Sequence, residues 1–216
     1  MLRHPCRRWG RFRDEVSVAA KDQVRREMMA ERRRRWGTRV GPHGEVVGRI
    51  TALAAYAAAR RVACYMATPG EVDLEELVRQ RLEAGVPVWL PRFNGVAETY
   101  EMVSVTSLQT QVVIGAFGIR EPALALPAVP SVERCAADVL WLVPGVAFDA
   151  CGNRLGRGQG HYDRLLHGAR GVRVGVAWDW QILAAVPHSA HDIPMDWIVT
   201  DTRTIACGAV RAGQAV

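Results

Sequence analysis

The sequence predicts an α/β fold: a single-domain, open, mostly parallel sheet with helices on both faces, a Rossmann-like three-layer arrangement. Three observations carry this. Short apolar runs at 61–66, 86–90, 139–143 and 173–178 read as buried strands. Stretches with helical spacing lie between them, and glycine or proline marks many junctions. Strands that alternate with helices favour a parallel sheet, and 216 residues suit one compact domain.

Residues 1–16 show no periodicity and read as a flexible leader. Ser17 suits an N-cap, and the pattern is helical from there to about Trp36. Val16, Ala20, Val24 and Met28 recur every fourth residue as one apolar stripe, and Lys21 and Arg25 lie one turn apart on a shared face. Residues 37–48 read as a turn region and Arg49–Ala59 as an alanine-rich helix. Arg61–Met66 is a buried strand, 67–70 a loop, and Leu74–Ala84 a helix closed by Gly85. Val86–Leu90 is a strand stopped by Pro91, and Tyr100–Val105 a further strand. Residues 106–136 read mostly as loop and short elements. The strand at 138–143 leads into a glycine-rich loop, then a helix at 161–167. Strands at Arg173–Trp178 and Trp197–Thr200 complete a domain expected over 17–205, with 206–216 as a tail.

Composition narrows the function classes. No apolar run approaches a membrane span and no signal-peptide core follows the basic N-terminus, so a cytoplasmic protein with no membrane partner is expected. The five cysteines are scattered without a C-x-x-C pair, which argues against a disulfide framework and a zinc site. The net charge of +6 is concentrated early, with Arg32–Arg35 in a row. We read this as a solvated helix face plus the leader; without aromatic interleaving, no specific nucleic-acid partner is expected. Lys21 is the only lysine. A compact point charge on a flexible stem suits a phosphate, although survival by chance is the alternative.

The segment 142–166, LVPGVAFDACGNRLGRGQGHYDRLL, carries the chemistry. Gly152, Gly156, Gly158 and Gly160 interleave with Arg154 and Arg157 ahead of a helix. Exposed backbone N–H groups, a helix N-terminus and two arginines suit a polyphosphate, and Asp163 could hold a metal at the same place. The loop is neither a Walker A sequence nor a G-x-G-x-x-G fingerprint. A plain strand-to-helix turn needing positive φ is the other reading of the glycines. Cys151 beside the loop reads as a small residue or a catalytic thiol.

Asn153-Arg-Leu-Gly-Arg-Gly-Gln-Gly-His-Tyr-Asp-Arg164 resembles the signature of the 5-formyltetrahydrofolate cyclo-ligase family (5,10-methenyltetrahydrofolate synthetase). Val143-Pro-Gly-Val-Ala-Phe-Asp149, Gly175-Val-Ala-Trp-Asp-Trp-Gln181 and His191-Asp-Ile-Pro-Met-Asp196 extend the likeness in order. Upstream, Glu71-Val-Asp73, Pro91-Arg92 and Gly118-Ile-Arg-Glu-Pro122 also fit, so the resemblance covers roughly residues 17–202.

The resemblance implies ATP-dependent, Mg2+-dependent ring closure of 5-formyltetrahydrofolate to 5,10-methenyltetrahydrofolate, with ADP and phosphate released. Phosphorylation of the formyl oxygen would precede attack by N10. It implies ATP contacts at Lys21, Asp22, Gln23, Val24 and Arg25, and along Arg154, Leu155, Gly156, Arg157, Gly158, Gln159, Gly160, His161 and Tyr162. It implies folate contacts at Arg25, Met66 and Glu71 and along Arg157, Gly158, Gln159, Gly160 and His161, and magnesium carboxylates at Asp163 and Asp192. Lys21, Arg157 and Asp163 are the implied catalytic groups. Glu71 also reads as a helix N-terminal acid. His161 stands where the family often has tyrosine, His191 reads as a group orienting Asp192 or as a surface residue, and Arg120 with Glu121 reads as an ion pair or a substrate contact. The expected partners are ATP and 5-formyltetrahydrofolate, with its polyglutamate state open, bound to a monomer. These anions give a basic surface a use without nucleic acid.

Overall fold

A computed structural model describes residues 18–35, 43–115 and 117–207. The expected leader, the cap at Ser17 and the tail beyond Cys207 lie outside the described residues. The first half comprises α1 (Val18–Arg35), α2 (His43–Thr51), α3 (Ala54–Ala58), β1 (Arg61–Ala63), α4 (Glu75–Glu83), β2 (Val88–Asn94) and β3 (Thr99–Val105). The short elements α5 (Leu108–Gln111), β4 (Val112–Ile114), β5 (Arg120–Pro122) and α6 (Ser131–Arg134) follow. Then come β6 (Val139–Pro144), β7 (Ala147–Asp149), β8 (Arg154–Leu155), α7 (His161–Leu165), β9 (Val172–Val176), β10 (Ile182–Leu183), β11 (Trp197–Val199) and β12 (Thr204–Ala206).

The main sheet has seven strands in the order β12-β11-β9-β6-β1-β2-β3. Its interior pairs are parallel, and β12 and β3 close the two edges antiparallel. Buried strands alternate their side chains between two cores. Val62, Val88, Leu90, Leu140 and Leu142 face α2 and α4. Ala63, Trp89, Trp141 and Val143 face the opposite side, where Phe148, Leu165 and Leu166 cover them. This two-residue period makes the strands read as continuous apolar runs. Among the described residues no helix is long and apolar enough to cross a membrane.

Several expectations change. The helix expected over 49–59 begins earlier, at His43, because Val46, Val47 and Ile50 make an apolar face that the core buries. It is also broken: Leu53 is extended (φ −70, ψ 133) and packs on the core, so burial overrides alanine propensity. β1 is shorter than expected, ending at Ala63. Pro91 does not stop β2, which runs to Asn94. The Trp89 carbonyl accepts from Cys64, and two residues on, Pro91 has the same facing beyond the end of β1, where no ladder N–H is needed. The glycine segment contains the β7–β8 hairpin, and the last strand pair extends into the expected tail through β12. The Arg32–Arg35 row is not a uniform solvated face: Arg32 is buried, and Arg34 and Arg35 pair with Glu31.

Candidate active site at the carboxyl ends of the parallel strands

The segments that follow β1 and β6 open into one cavity of about 370 Å³. α1 forms one of its walls. Val24, Met28 and Met29 pack that helix on Val146, Ala147, Leu155 and Val186, leaving Lys21 and Arg25 on the cavity side. The stripe read from the sequence therefore docks the helix, and the shared face of Lys21 and Arg25 meets the site.

The glycine loop is carried by the β7–β8 hairpin. Asp149 is 3% exposed and ties the turn together. Its carboxylate accepts from the backbone N–H groups of Cys151, Asn153 and Val186 and from the Asn153 side chain. Past β8 the chain turns at Gly158 (φ +102) and Gly160 (φ +65), which precedes α7. Positive φ is thus required here, as the turn reading expects, and the same turn faces the cavity.

Four cations on this wall are held by carboxylates or carbonyls. Lys21 Nζ lies 2.5 Å from Asp192 Oδ2, across 171 positions of chain. Arg25 Nε donates to the Gly156 carbonyl at 3.0 Å, and its Nη1 pairs with Asp22. Arg154 Nη2 donates to Asp163 at 3.0 Å. Arg157 reaches from the loop to Thr68 Oγ1 at 2.5 Å and to Glu71 Oε1 at 3.1 Å. Lys21, Arg154 and Arg157 thus each meet a carboxylate that also lines the cavity.

Titration follows from these contacts. Burial pushes the Asp192 carboxyl up, but the Lys21 ammonium and the Ser189 N–H outweigh it and hold the group below its ordinary value. Burial pushes the Tyr65 and Tyr162 hydroxyls well above the ordinary range, so both stay protonated. Burial, then the neighbouring Arg164, lowers His161. Arg164 lies 2.8 Å from His161 Nδ1, consistent with a neutral ring accepting there.

Among the described residues, no group of three or more His, Cys, Asp or Glu side chains is arranged to hold a metal. Asp163 and Asp192 do line the same cavity, each against a cation. Two carboxylates fit Mg2+ when phosphate oxygens and water supply the remaining ligands.

Most residues singled out in the sequence converge here: Lys21, Arg25, Met66, Glu71, residues 154–163 and Asp192 all line the cavity. Asp22, Gln23 and Val24 do not: Asp22 pairs with Arg25, Gln23 bonds Glu27, and Val24 packs inward. Cys151 and His191 are also outside the lining, whereas Arg120 and Glu121 belong to it. Arg120 pairs with Glu75 rather than Glu121, and Glu121 accepts from the Phe93 N–H. Thr68 lies in the segment 67–71, which the sequence places beyond the carboxyl end of a strand, where ligands bind in such sheets. Sequence reasoning missed Tyr65 and Tyr100. Tyr65 lies just beyond β1 rather than within the strand expected to run to Met66, and Tyr100 comes from the antiparallel edge strand, which carried no signal.

The family model described as the 5-formyltetrahydrofolate cyclo-ligase family matches residues 17–201. The 5-formyltetrahydrofolate cyclo-ligase of Escherichia coli K12 is 34% identical over 148 residues, covering 67% of this chain and 80% of that protein. The Saccharomyces cerevisiae enzyme of the same name is 32% identical over 174 residues, covering 69% and 80%. A solved structure of 5,10-methenyltetrahydrofolate synthetase from Aquifex aeolicus superposes with a TM-score of 0.71 at 31% identity, covering 91% of this chain and 95% of that one.

Proposed function

The chain belongs to the 5-formyltetrahydrofolate cyclo-ligase family, and from that premise we propose that it converts 5-formyltetrahydrofolate to 5,10-methenyltetrahydrofolate with ATP as cosubstrate. The observation that carries this reading is the convergence of Lys21, Arg25, Arg154 and Arg157 with Glu71, Asp163 and Asp192 on one cavity. Such a site can neutralise a triphosphate and still present carboxylates to a pterin and a metal.

The reaction needs this chemistry. A formamide carbon is a poor electrophile and its oxygen a poor leaving group. The formyl oxygen attacks the γ-phosphorus, and the bond from that phosphorus to the ADP oxygen breaks. N10 then adds to the activated carbon, phosphate departs with the formyl oxygen, and the N10 proton is lost. The protein's task is alignment and charge neutralisation. Lys21 and Arg157 release Asp192 and Glu71 to meet the phosphates, and the loop N–H groups at 156–160 add donors. Glu71 accepts from pterin N–H groups. Asp163 and Asp192 would hold Mg2+, which when bound adds charge neutralisation at the transferring phosphoryl group.

The test follows product absorbance with purified protein, 5-formyltetrahydrofolate, ATP and Mg2+. Methenyl product should form only when all are present, and none above background would falsify the reading. Because each aspartate is paired with a cation, metal binding should require nucleotide. Calorimetric titration with Mg2+ alone should show no uptake, whereas the ATP-loaded protein should take it up. Asp163→Asn should weaken that uptake about tenfold, the scale of a lost charge-assisted contact, with little change in melting temperature. Normal uptake by this variant would leave Asp163 a helix N-terminal acid only.

A further inference from the structure

Behind the cavity, one arginine is buried where the sequence predicts solvent. Arg32 lies in the last turn of α1 beside Arg33, Arg34 and Arg35, yet is only 5% exposed. Its stem crosses Gly70, where an added Cβ would stand 2.6 Å from its Cγ. Its Nη2 donates to the Gly145 carbonyl at 2.9 Å, and its Nη1 faces Glu71 Oε1 at 3.4 Å. Packing and a second hydrogen bond therefore fix this guanidinium in place.

Glu71 is the group through which it acts. Its side chain is 10% exposed and accepts the Thr68 N–H at 3.0 Å. Its other cation, Arg157, is 49% exposed on the glycine loop. The proposed function draws Arg157 away to the ligand's anionic groups. Without Arg32, that departure would leave a buried carboxylate with no countercharge, and such a group tends to protonate.

We propose that Arg32 is a positioning residue: its fixed guanidinium holds the Glu71 carboxylate aimed into the cavity while Arg157 turns to the substrate. The proposal rests on the reading of Glu71 as a folate contact. The ionisable groups around Glu71 are Arg32 from α1, Arg157 from the loop, Tyr65 from the segment after β1 and Tyr162 from α7. Both tyrosines stay neutral, so the two arginines are its countercharges.

The test compares Arg32→Gln, which keeps a donor for Gly145 without the charge, with Arg32→Lys, which keeps the charge. For each, kcat, KM for 5-formyltetrahydrofolate and the melting temperature are measured. Arg32→Gln should raise KM about tenfold with kcat within about threefold, the scale of one charge-assisted contact. Arg32→Lys should recover most of the KM. A parent-like KM in Arg32→Gln, or equal losses in both variants that track melting temperature, would overturn the proposal. Should Arg32→Gln not fold, Arg32→Lys carries the test: with the charge kept its KM should stay near that of the parent, and a loss of about tenfold or more in the folded variant would refute the role. No turnover by the unsubstituted enzyme strikes the functional reading and this proposal together; turnover with indifferent Arg32 variants strikes this proposal alone.

Discussion

Replacing Lys21 by alanine should lower kcat/KM for ATP about thirtyfold, the equivalent of about 2 kcal/mol for one lost charge-assisted phosphate contact. The fold should survive. Lys21 is 15% exposed and Asp192 24% exposed, so this is a partly solvated pair whose loss costs at most about 1 kcal/mol of stability. The variant also changes the response to acid. In the intact protein the Asp192 carboxyl sits below its ordinary value of 3.8. The pair therefore contributes its stability above that pH and loses it as pH falls through the depressed value. In Lys21→Ala the opposing cation is gone, and the Ser189 hydrogen bonds alone are left to oppose the upward push of burial on the carboxyl. The melting-temperature difference between the two proteins should be present at neutral pH and shrink below about pH 4, near the ordinary aspartate range. Steady-state kinetics and melting curves check both parts. Unchanged ATP kinetics would remove Lys21 from the nucleotide site.

The larger stability effect should come from Phe148→Ala, at about 3–5 kcal/mol. Phe148 is fully buried on β7. Its ring fills a notch made by two glycines: a Cβ on Gly145 or Gly175 would stand 2.6 Å from ring carbons. This contact seats the β7–β8 hairpin on the sheet, and the hairpin carries the glycine loop. Truncation leaves a void beneath the loop that backbone flanked by glycines cannot refill with side chains. Urea unfolding should show the full loss, and turnover should fall even where the variant remains folded. A midpoint shift worth less than about 1 kcal/mol would show that the hairpin is held from elsewhere.

Much of this was legible because its signals are local. Apolar alternation at 139–143, the glycines at 152–160 and the placement of Lys21 and Arg25 on one helix face depend only on neighbours two to four positions away. Arg32 shows where such reading stopped short of its own evidence. The stripe Val16, Ala20, Val24, Met28 continues at the same spacing to position 32, which marked that arginine as inward, yet its residue type placed it with Arg33–Arg35. Pro91 is a second case. Proline ends a strand only when its missing N–H faces a partner, and whether β1 extends that far is not written around residue 91.

By itself, the sequence determined the order of the main strands and helices, the α/β class and the glycine loop, since each rests on periods and spacings within a short window, and it carried the family through the resemblance of ordered motifs over residues 17–202. Only the tertiary structure decided which charges meet. Lys21 finds Asp192 across 171 positions, Arg157 finds Glu71, and Arg32 turns inward behind it. The physical reason is that these pairings are consequences of burial. Once Met28 and its neighbours dock α1 and Phe148 seats the hairpin, the cations of one element lie against the carboxylates of another, and no local pattern encodes that juxtaposition.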